Sequence, residues 1–380
     1  MSTLKVKVIV YPLASNPYQS LLYDHFPNNE NYSFKFIQGP SSTIGFMLHL
    51  EKLIILLTIY RVRGYKILHL HWLYALRFPG NSIAPRISSA LSKLEIYIFL
   101  AVTKILNFKL VWTVHDLNQH NKQITNEYKV IQRLIIQSSK LILLSSVTID
   151  EMTRLRFVYD NRKISIIPLG NYIGFYPNFI NKNLARRTLG IPANAFVYLY
   201  FGNIEHYKNV PGLIRAFVGI SEEDSSAYLI IAGKPRNATI MNELLQLKDF
   251  KNKKIILKLK YIPDEYIQLY YNASDIAVHP FLEITNSSSI LLSASFGKGI
   301  IAPRIGSLRT LPANIGFYYN QNNEKSLADT MKRARRNKDL LVKKSNKIKK
   351  YALSFNWNEI SSNTMQVYRG VLARKEKENN

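Results

Sequence analysis

The chain has 380 residues, enough for about two domains, and is 47% hydrophobic and 20% charged, a balance that excludes global disorder. It has no Cys, which excludes a disulfide framework, a thiolate zinc site and a cysteine nucleophile. Its 51 Lys and Arg against 25 Asp and Glu leave a formal charge of +26, which turns attention to anionic lipid headgroups and nucleic acid as partners.

The N-terminus, MSTLKVKVIVYPLAS, holds an apolar run too short for the core of a secretory signal and reads as a first strand. The apolar stretches Leu53–Tyr60 and Ile96–Thr103 are bounded by charged residues and fall short of the ~20 residues of a membrane span. The expectation is a cytoplasmic protein, soluble or peripheral at the inner face of the cell membrane. In chain order, Lys5–Tyr11 and Tyr32–Ile37 read as strands, Ser42–Arg63 as a helix and Lys66–Trp72 as a strand. Ile87–Asn107 is helical, Lys109–Val114 a strand, Asn126–Ser138 a helix, and Lys140–Ser145 and Lys163–Pro168 two further strands. Asn171–Asn183 has aromatics, Gly and Pro without a period and reads as a linker. Alternation restarts with strand Phe196–Phe201 and helix Val210–Val218, followed by strands Tyr228–Ala232, Lys254–Leu259, Asp275–His279 and Gly299–Ala302. A last helical segment runs from Asn356 to Lys375. Such alternation predicts an α/β fold of two Rossmann-like, doubly wound domains, each a parallel sheet with helices on both faces.

The basic excess is spread over both halves, and its densest run, Met331–Tyr351, carries ten basic residues and one acid, Asp339. That run fits a solvated helix, a surface facing anionic lipid, or a nucleic-acid contact. No RNP-type strand, zinc finger or basic zipper accompanies it, so no nucleic-acid partner is expected.

Ligands of open parallel sheets bind beyond the carboxyl ends of the strands, so the residues there are the candidates. Pro12–Gln19 follows the first strand. Asn16 and Gln19 have hydrogen-bonding side chains there, although a lone signal of this kind reads first as a simple turn. His115, Asp116 and His120 follow Val111–Val114. They fit a general base or a sugar-hydroxyl ligand, a metal site if further ligands join them, or a structural role. His71 ends another strand and fits either the same site or the core. In FGNIEHYKN, Gly202 and Lys208 place a small turn residue and a cation before a helix N-terminus, a setting for an anion. Ser287, Ser288 and Ser289 precede the apolar run Ile290–Ala294 and read as a helix cap or as a phosphate cradle.

Taken in this order, the motifs resemble glycosyltransferases of the GT-B architecture, of the family-4 type ("glycosyl transferases group 1"), over nearly the whole chain. GNIEHYKNVPGLIRAF resembles the family's Gly…Lys-Gly…Ala-Phe motif, YNASDIAVHPF…FGKGIIAP its Asp-x-x-x-x-Pro strand and Gly-Lys-Pro turn, and VWTVHD its N-domain strand ending in His-Asp. NPYQSLLY and PLGNY resemble a subgroup associated with bacterial surface polysaccharides. The resemblance implies an N-terminal acceptor domain at 1–172, a linker at 173–184 and a nucleotide-sugar domain at 185–355. It places a terminal helix, 356–380, back on the first domain, with the two domains facing across a cleft. It implies a hexosyltransferase that moves a sugar from a UDP or GDP donor to a lipid-linked saccharide, in capsule, exopolysaccharide or O-antigen synthesis, with no cofactor and no catalytic metal. Gly202, Lys208, Glu283 and Ser287–Ser289 would hold the donor. His115 or Asp116 would contact the transferring sugar or deprotonate the acceptor. Asn16, Gln19, His71 and His120 would meet acceptor or sugar. An anionic membrane surface would be gripped by the basic excess and an amphipathic helix around Phe46–Tyr60.

The pattern also departs from the family. Ile284 and Leu292 stand where it has a Glu pair, Glu205 where an Arg assists the Lys, Gly299 where the turn has Pro, and Leu169 where a linker strand has His. Retention and inversion therefore both stay open, as do a nucleotide-sugar epimerase of the same fold and a non-catalytic basic scaffold.

Overall fold

The computed structural model describes residues 5–14, 16–26, 31–40, 49–76, 85–117, 127–247 and 252–377. The chain divides into two units, Met1–Leu169 with Trp357–Asn380, and Gly170–Asn356.

The first unit runs β1 (Val6–Leu13), α1 (Pro17–Asp24), β2 (Tyr32–Gln38), α2 (His49–Val62), β3 (Ile67–Leu70), α3 (Pro85–Ile105), β4 (Lys109–Val114), α4 (Glu127–Gln137), β5 (Lys140–Leu143), α5 (Val147–Arg154) and β6 (Ile164–Ile166). Its six strands are parallel, in the order β2-β1-β3-β4-β5-β6. The central strands are buried throughout because helices cover both faces, which is why they read as continuous apolar runs. On one face Ile9, Tyr11, Leu68, Leu70 and Trp112 pack with Leu53 and Leu57 of α2, Ile96 and Phe99 of α3, and Val130 and Leu134 of α4. Side chains alternate along a strand, so His69 and Thr113 stand on the other face.

The second unit runs α6 (Lys182–Leu189), β7 (Phe196–Phe201), α7 (Val210–Glu223), β8 (Ala227–Ala232), α8 (Ala238–Leu245), β9 (Ile255–Lys258), α9 (Asp264–Ala273), β10 (Ile276–Val278), α10 (Ser288–Ser295), β11 (Gly299–Pro303), β12 (Gly316–Tyr319), α11 (Glu324–Arg336) and α12 (Lys338–Leu353). Its strands are also parallel, in the order β12-β11-β10-β7-β8-β9. The final helix, α13 (Trp357–Lys377), belongs to the first unit and packs on α1.

The aperiodic segment after Leu169 is pinned within the second unit. Asn171 donates to the carbonyls of Ala352 and Phe355 at 3.0 Å each, and Gln268 Oε1 accepts from the N–H groups of Phe179 and Ile180 at 2.9 and 3.0 Å. The dense basic run forms two helices, α11 and α12, broken at Asn337; Met331, Ala334, Leu341 and Ile348 face inward while most of the cations face outward. Among the described residues no helix is long and apolar enough to cross a membrane.

Candidate functional site

In the second unit β7 and β10 are neighbours, yet the chain leaves them in opposite directions, toward β8 and toward β11. Loops that depart to opposite sides open a crevice at the carboxyl ends of this strand pair. Gly202 ends β7 with φ +127° and Gly233 ends β8 with φ +154°. A Cβ on Gly233 would lie 1.9 Å from the Gly202 carbonyl oxygen, so the two turns pass at a distance that only glycine allows. Beyond Gly202 a short turn, His206–Lys208, leads into α7, whose first turn is capped by Asn209 accepting from the Gly212 N–H at 3.2 Å.

Lys208 is half-buried and, among the described residues, makes no hydrogen bond or ion pair; its ammonium lies 5.7 Å from the Tyr207 ring centroid. Burial pulls its pKa down, Glu205 acts against that, and Arg236 adds to it. Arg236 comes from the neighbouring loop after β8 and lies 3.9 Å from Glu205. A cation thus stands beside the position where the family pattern expects an Arg and this chain has Glu205.

The β10 connection meets the β7 connection through the Leu282 N–H, which donates to the Tyr207 carbonyl at 2.8 Å. Ser287 caps α10 by accepting from the Ile290 N–H at 3.4 Å, and its hydroxyl lies 3.0 Å from that of Ser289. Ser289 reaches His279 Nδ1 at 3.4 Å, and His279 Nε2 meets Ser293 Oγ at 3.1 Å. Burial, with the Lys208 charge nearby, pushes His279 down to about 3, so its ring is neutral at neutral pH. Ser288 and Glu283 are exposed at the same crevice. The structure therefore brings Gly202, Lys208 and Ser287–Ser289 to one strand-end region and adds His279 and Arg236, which sequence reasoning missed. The signal for His279 was its place at the end of the strand Asp275–His279.

The first unit has its own switch point, between β1 and β3. There His69 Nε2 meets Thr113 Oγ1 at 2.8 Å, and its Nδ1 meets the hydroxyls of Tyr368 at 2.6 Å and Tyr23 at 3.0 Å. Tyr23 also reaches His71 Nε2 at 3.0 Å, while His71 Nδ1 has no hydrogen-bond partner among the described residues. His115 stacks on Trp72, centroids 4.3 Å apart, and takes the edge of Tyr18 at 5.0 Å. Tyr18 in turn packs on Trp357 of α13. Burial holds His69 and His115 at about 3 and His71 well below its usual value, so the three rings are neutral.

His71 and His115 thus share one aromatic cluster, with Asp116 exposed at its margin. The side chains of Asn16 and Gln19 serve their own turn. Asn16 accepts from the Tyr18 N–H to cap α1, and Gln19, buried, accepts from the Ala14 N–H and donates to the Pro12 carbonyl. These bonds, with Gln19 buried, hold the loop after β1 as it reverses into α1. His120 lies outside the described residues. His69 was findable from KILHLHW, since residues two apart on a strand share a face. Tyr368 was not, because it is 299 residues from His69.

Residues 181–355 match the family described as "Glycosyl transferases group 1". The GDP-mannose:glycolipid 4-beta-D-mannosyltransferase of Xanthomonas campestris pv. campestris is 22% identical over 262 residues, 66% of this chain and 65% of that one. The D-inositol 3-phosphate glycosyltransferase of Corynebacterium glutamicum (strain R) is 22% identical over 257 residues, 65% of this chain and 61% of that one. The chain therefore spans less than two thirds of the length of these relatives. Sucrose-phosphate synthase from Thermosynechococcus elongatus superimposes with a TM-score of 0.74 at 16% identity, over 97% of this chain and 100% of that one. Anabaena HepE in complex with UDP and glucose gives 0.73 at 15% identity, over 96% and 100%. At these identities the likeness establishes the fold, the GT-B architecture with a Rossmann-like sheet in each unit.

Proposed function

Through residues 181–355 the chain belongs to the glycosyl transferases group 1 family, and from that premise we propose that it moves a sugar from a nucleoside-diphosphate donor to a lipid-carried saccharide. The donor base is uracil or guanine and the setting is bacterial capsule, exopolysaccharide or O-antigen synthesis. The observation that carries the reading is Lys208, a half-buried cation with no ionic partner among the described residues, set beside Gly202 at the β7 end. The names of two compared proteins support the donor and acceptor classes: one acts with GDP-mannose on a glycolipid, the other was captured with UDP and glucose.

In the transfer, the bond from the sugar's anomeric carbon to the diphosphate oxygen breaks, the acceptor oxygen bonds to that carbon, and the acceptor proton leaves. Negative charge grows on the departing diphosphate. Lys208, the Ser287–Ser289 hydroxyls and the free N–H groups of α10 would stabilise it, with Arg236 as a second cation. Positive charge supplied this way lets the reaction run without a metal ion. His279, neutral, would orient Ser289 rather than add charge. Glu283 would bind sugar or ribose hydroxyls. In the first unit, His71 Nδ1 and the Trp72–His115 pair offer hydrogen bonds and flat rings to an acceptor. With its pKa near 3, His115 suits bonding a hydroxyl better than taking a proton, which leaves Asp116 as the base if the reaction inverts.

Thermal-shift titrations with UDP, GDP, CMP and their sugar conjugates test this on wild type and Lys208→Ala. A rise with UDP or GDP that the substitution abolishes is expected. No rise with any nucleotide would remove the donor site and return the chain to a scaffold.

A further inference from the structure

The side chains around the start of α10 form a chain of hydrogen bonds whose protons can be counted. Ser293 donates to the Ser289 carbonyl at 3.0 Å, one turn back along the helix. Its oxygen then has only lone pairs for its other two neighbours, Tyr271 Oη at 3.3 Å and His279 Nε2 at 3.1 Å. Tyr271 is fully buried, and among the described residues Ser293 is the partner of its hydroxyl. His279 Nε2 therefore carries the ring proton, and Nδ1 holds the lone pair. Ser289, 3.4 Å from Nδ1, points its own proton inward to that lone pair. Ser287 Oγ accepts from the Ile290 N–H at 3.4 Å and donates its proton to Ser289 Oγ, 3.0 Å away. Each of these hydroxyl protons is thus taken up within the protein.

An anion at the crevice requires the opposite arrangement. A phosphate oxygen accepts hydrogen bonds and donates none, so Ser289 serves it only by turning its proton outward. Nδ1 then faces the Ser289 lone pairs, a contact that holds only if Nδ1 carries a proton. His279 is neutral, held at about 3 by burial and the Lys208 charge, so it has one N–H and two nitrogens on which to place it. Placed on Nδ1, the proton bonds the Ser289 oxygen. Nε2 then accepts from the Ser293 hydroxyl, which releases the Ser289 carbonyl. The ring need not rotate: Phe281 packs beside it, centroids 5.6 Å apart, and each nitrogen keeps its neighbour. The number of protons is the same in both arrangements. One hydroxyl-to-carbonyl bond is exchanged for a bond to a charged acceptor, the stronger kind.

We propose that His279 is a positioning residue that turns the Ser289 proton toward the diphosphate by changing tautomer, from Nε2–H without nucleotide to Nδ1–H with it. The inference rests on the donor site proposed above and adds how that site passes from satisfying itself to binding an anion.

Long-range proton–nitrogen spectra of the full chain, carrying isotope-labelled histidine, report which ring nitrogen holds the proton. The His279 signals are identified by their loss in His279→Gln or their displacement in Ser293→Ala. With UDP and with GDP near neutral pH, the expected change is from the Nε2–H pattern to the Nδ1–H pattern at saturation. Ser289→Ala and His279→Leu should each weaken the nucleotide by roughly 10-fold. The double variant should bind no more weakly than either single one, because the histidine acts through the serine. If His279→Leu does not fold, Ser293→Ala, which removes the hydroxyl that Nε2 meets, takes its place in the same cycle. One tautomer in both states, an imidazolium with nucleotide bound, or losses that add in the double variant would each overturn the proposal. A nucleotide that raises the melting temperature and leaves the tautomer unchanged defeats this inference alone. No rise with UDP or GDP removes the donor site, and this inference with it.

Discussion

At the β7 and β10 ends the structure leaves Lys208 without an ionic partner among the described residues, whereas near the β1 and β3 ends it holds three histidines that carry no charge, His69 and His71 buried and His115 half-buried. The first crevice is made of glycine turns, a helix N-terminus and cations. The second is made of rings held by hydrogen bonds that run from α1 through β3 to α13. An open positive site stabilises an anion that departs. A closed neutral one fixes shape and hydrogen-bond direction. Neither could do the other's work, since neutral rings do not offset a diphosphate and a partnerless cation does not orient a saccharide.

The strongest way to break this comparison is at Tyr368, fully buried and bonded to both His69 and Tyr23. Tyr368→Ala removes a large ring and leaves two polar groups without their partner, so it should cost the first unit about 3–5 kcal/mol, read from its melting transition. Tyr368→Phe keeps the ring and should cost about 1 kcal/mol. Similar losses in the two variants would mean that the hydroxyl, not the packing, holds α13.

Acid should separate the units next. A histidine neutral in the folded chain but near 6.5 when unfolded binds its proton only in the unfolded state. Its contribution is therefore present above pH ~6.5 and is lost as pH falls toward about 3, by roughly 1–2 kcal/mol at pH 5. The first unit has four such rings, His49, His69, His71 and His115, and the second has His279. Glu95, buried on α3 and pushed up to about 8, acts in the opposite sense and offsets roughly one to two rings. Amide hydrogen exchange at about pH 7.5 and 5, corrected for intrinsic rates, should show the first unit losing about twice as much as the second. Equal losses would remove the contrast.

Lys208→Ala tests the open site. At ~100 times its dissociation constant a nucleotide should stabilise the second unit by about 2.7 kcal/mol, and the variant should lose most of this. Without nucleotide its melting temperature should be unchanged or slightly higher, because the ammonium is desolvated and makes no hydrogen bond or ion pair among the described residues. A large drop in the unliganded variant would recast Lys208 as a structural residue.

The open site was also the more legible in the sequence. Gly202 with Lys208, and Ser287 with Ser289, are each local sets at the ends of elements that periodicity finds. Only their meeting at the β7–β10 switch point needed the fold. The closed site depends on Tyr23, His69 and Tyr368, brought together from 345 residues apart by a terminal helix whose docking no local pattern specifies. The strands from Phe196 to Phe201 and Lys109 to Val114 were read to the residue because burial on both faces makes them unbroken apolar runs. β12 and α8 went unread: Gly316–Tyr319 opens with a glycine and is four residues long, and α8 is only two turns. The amphipathic helix expected around Phe46–Tyr60 was half seen: over its described part α2 exposes Ile55 and Ile59 and buries Leu53 and Leu57, and a surface helix with apolar residues on both sides has the composition of a core helix.

The last effect isolates a single term. Glu95 is buried, its Oε1 makes no hydrogen bond among the described residues, and burial, which penalises the charged form, raises its pKa. Folding therefore keeps a proton on Glu95 that the unfolded chain has released near neutral pH. Its contribution is unfavourable there, growing as pH rises from about 4.5 toward about 8. Glu95→Gln has the same shape and no titration. It should raise the first unit's stability by about 2–4 kcal/mol at pH 7.5, and by little at pH 4.5. It should also steepen the unit's acid response, because the term opposing the four histidines is gone. If instead the variant is destabilised at pH 7.5, the carboxylate is being held charged by groups around it, and the neutral, closed character assigned to this unit stops short of α3.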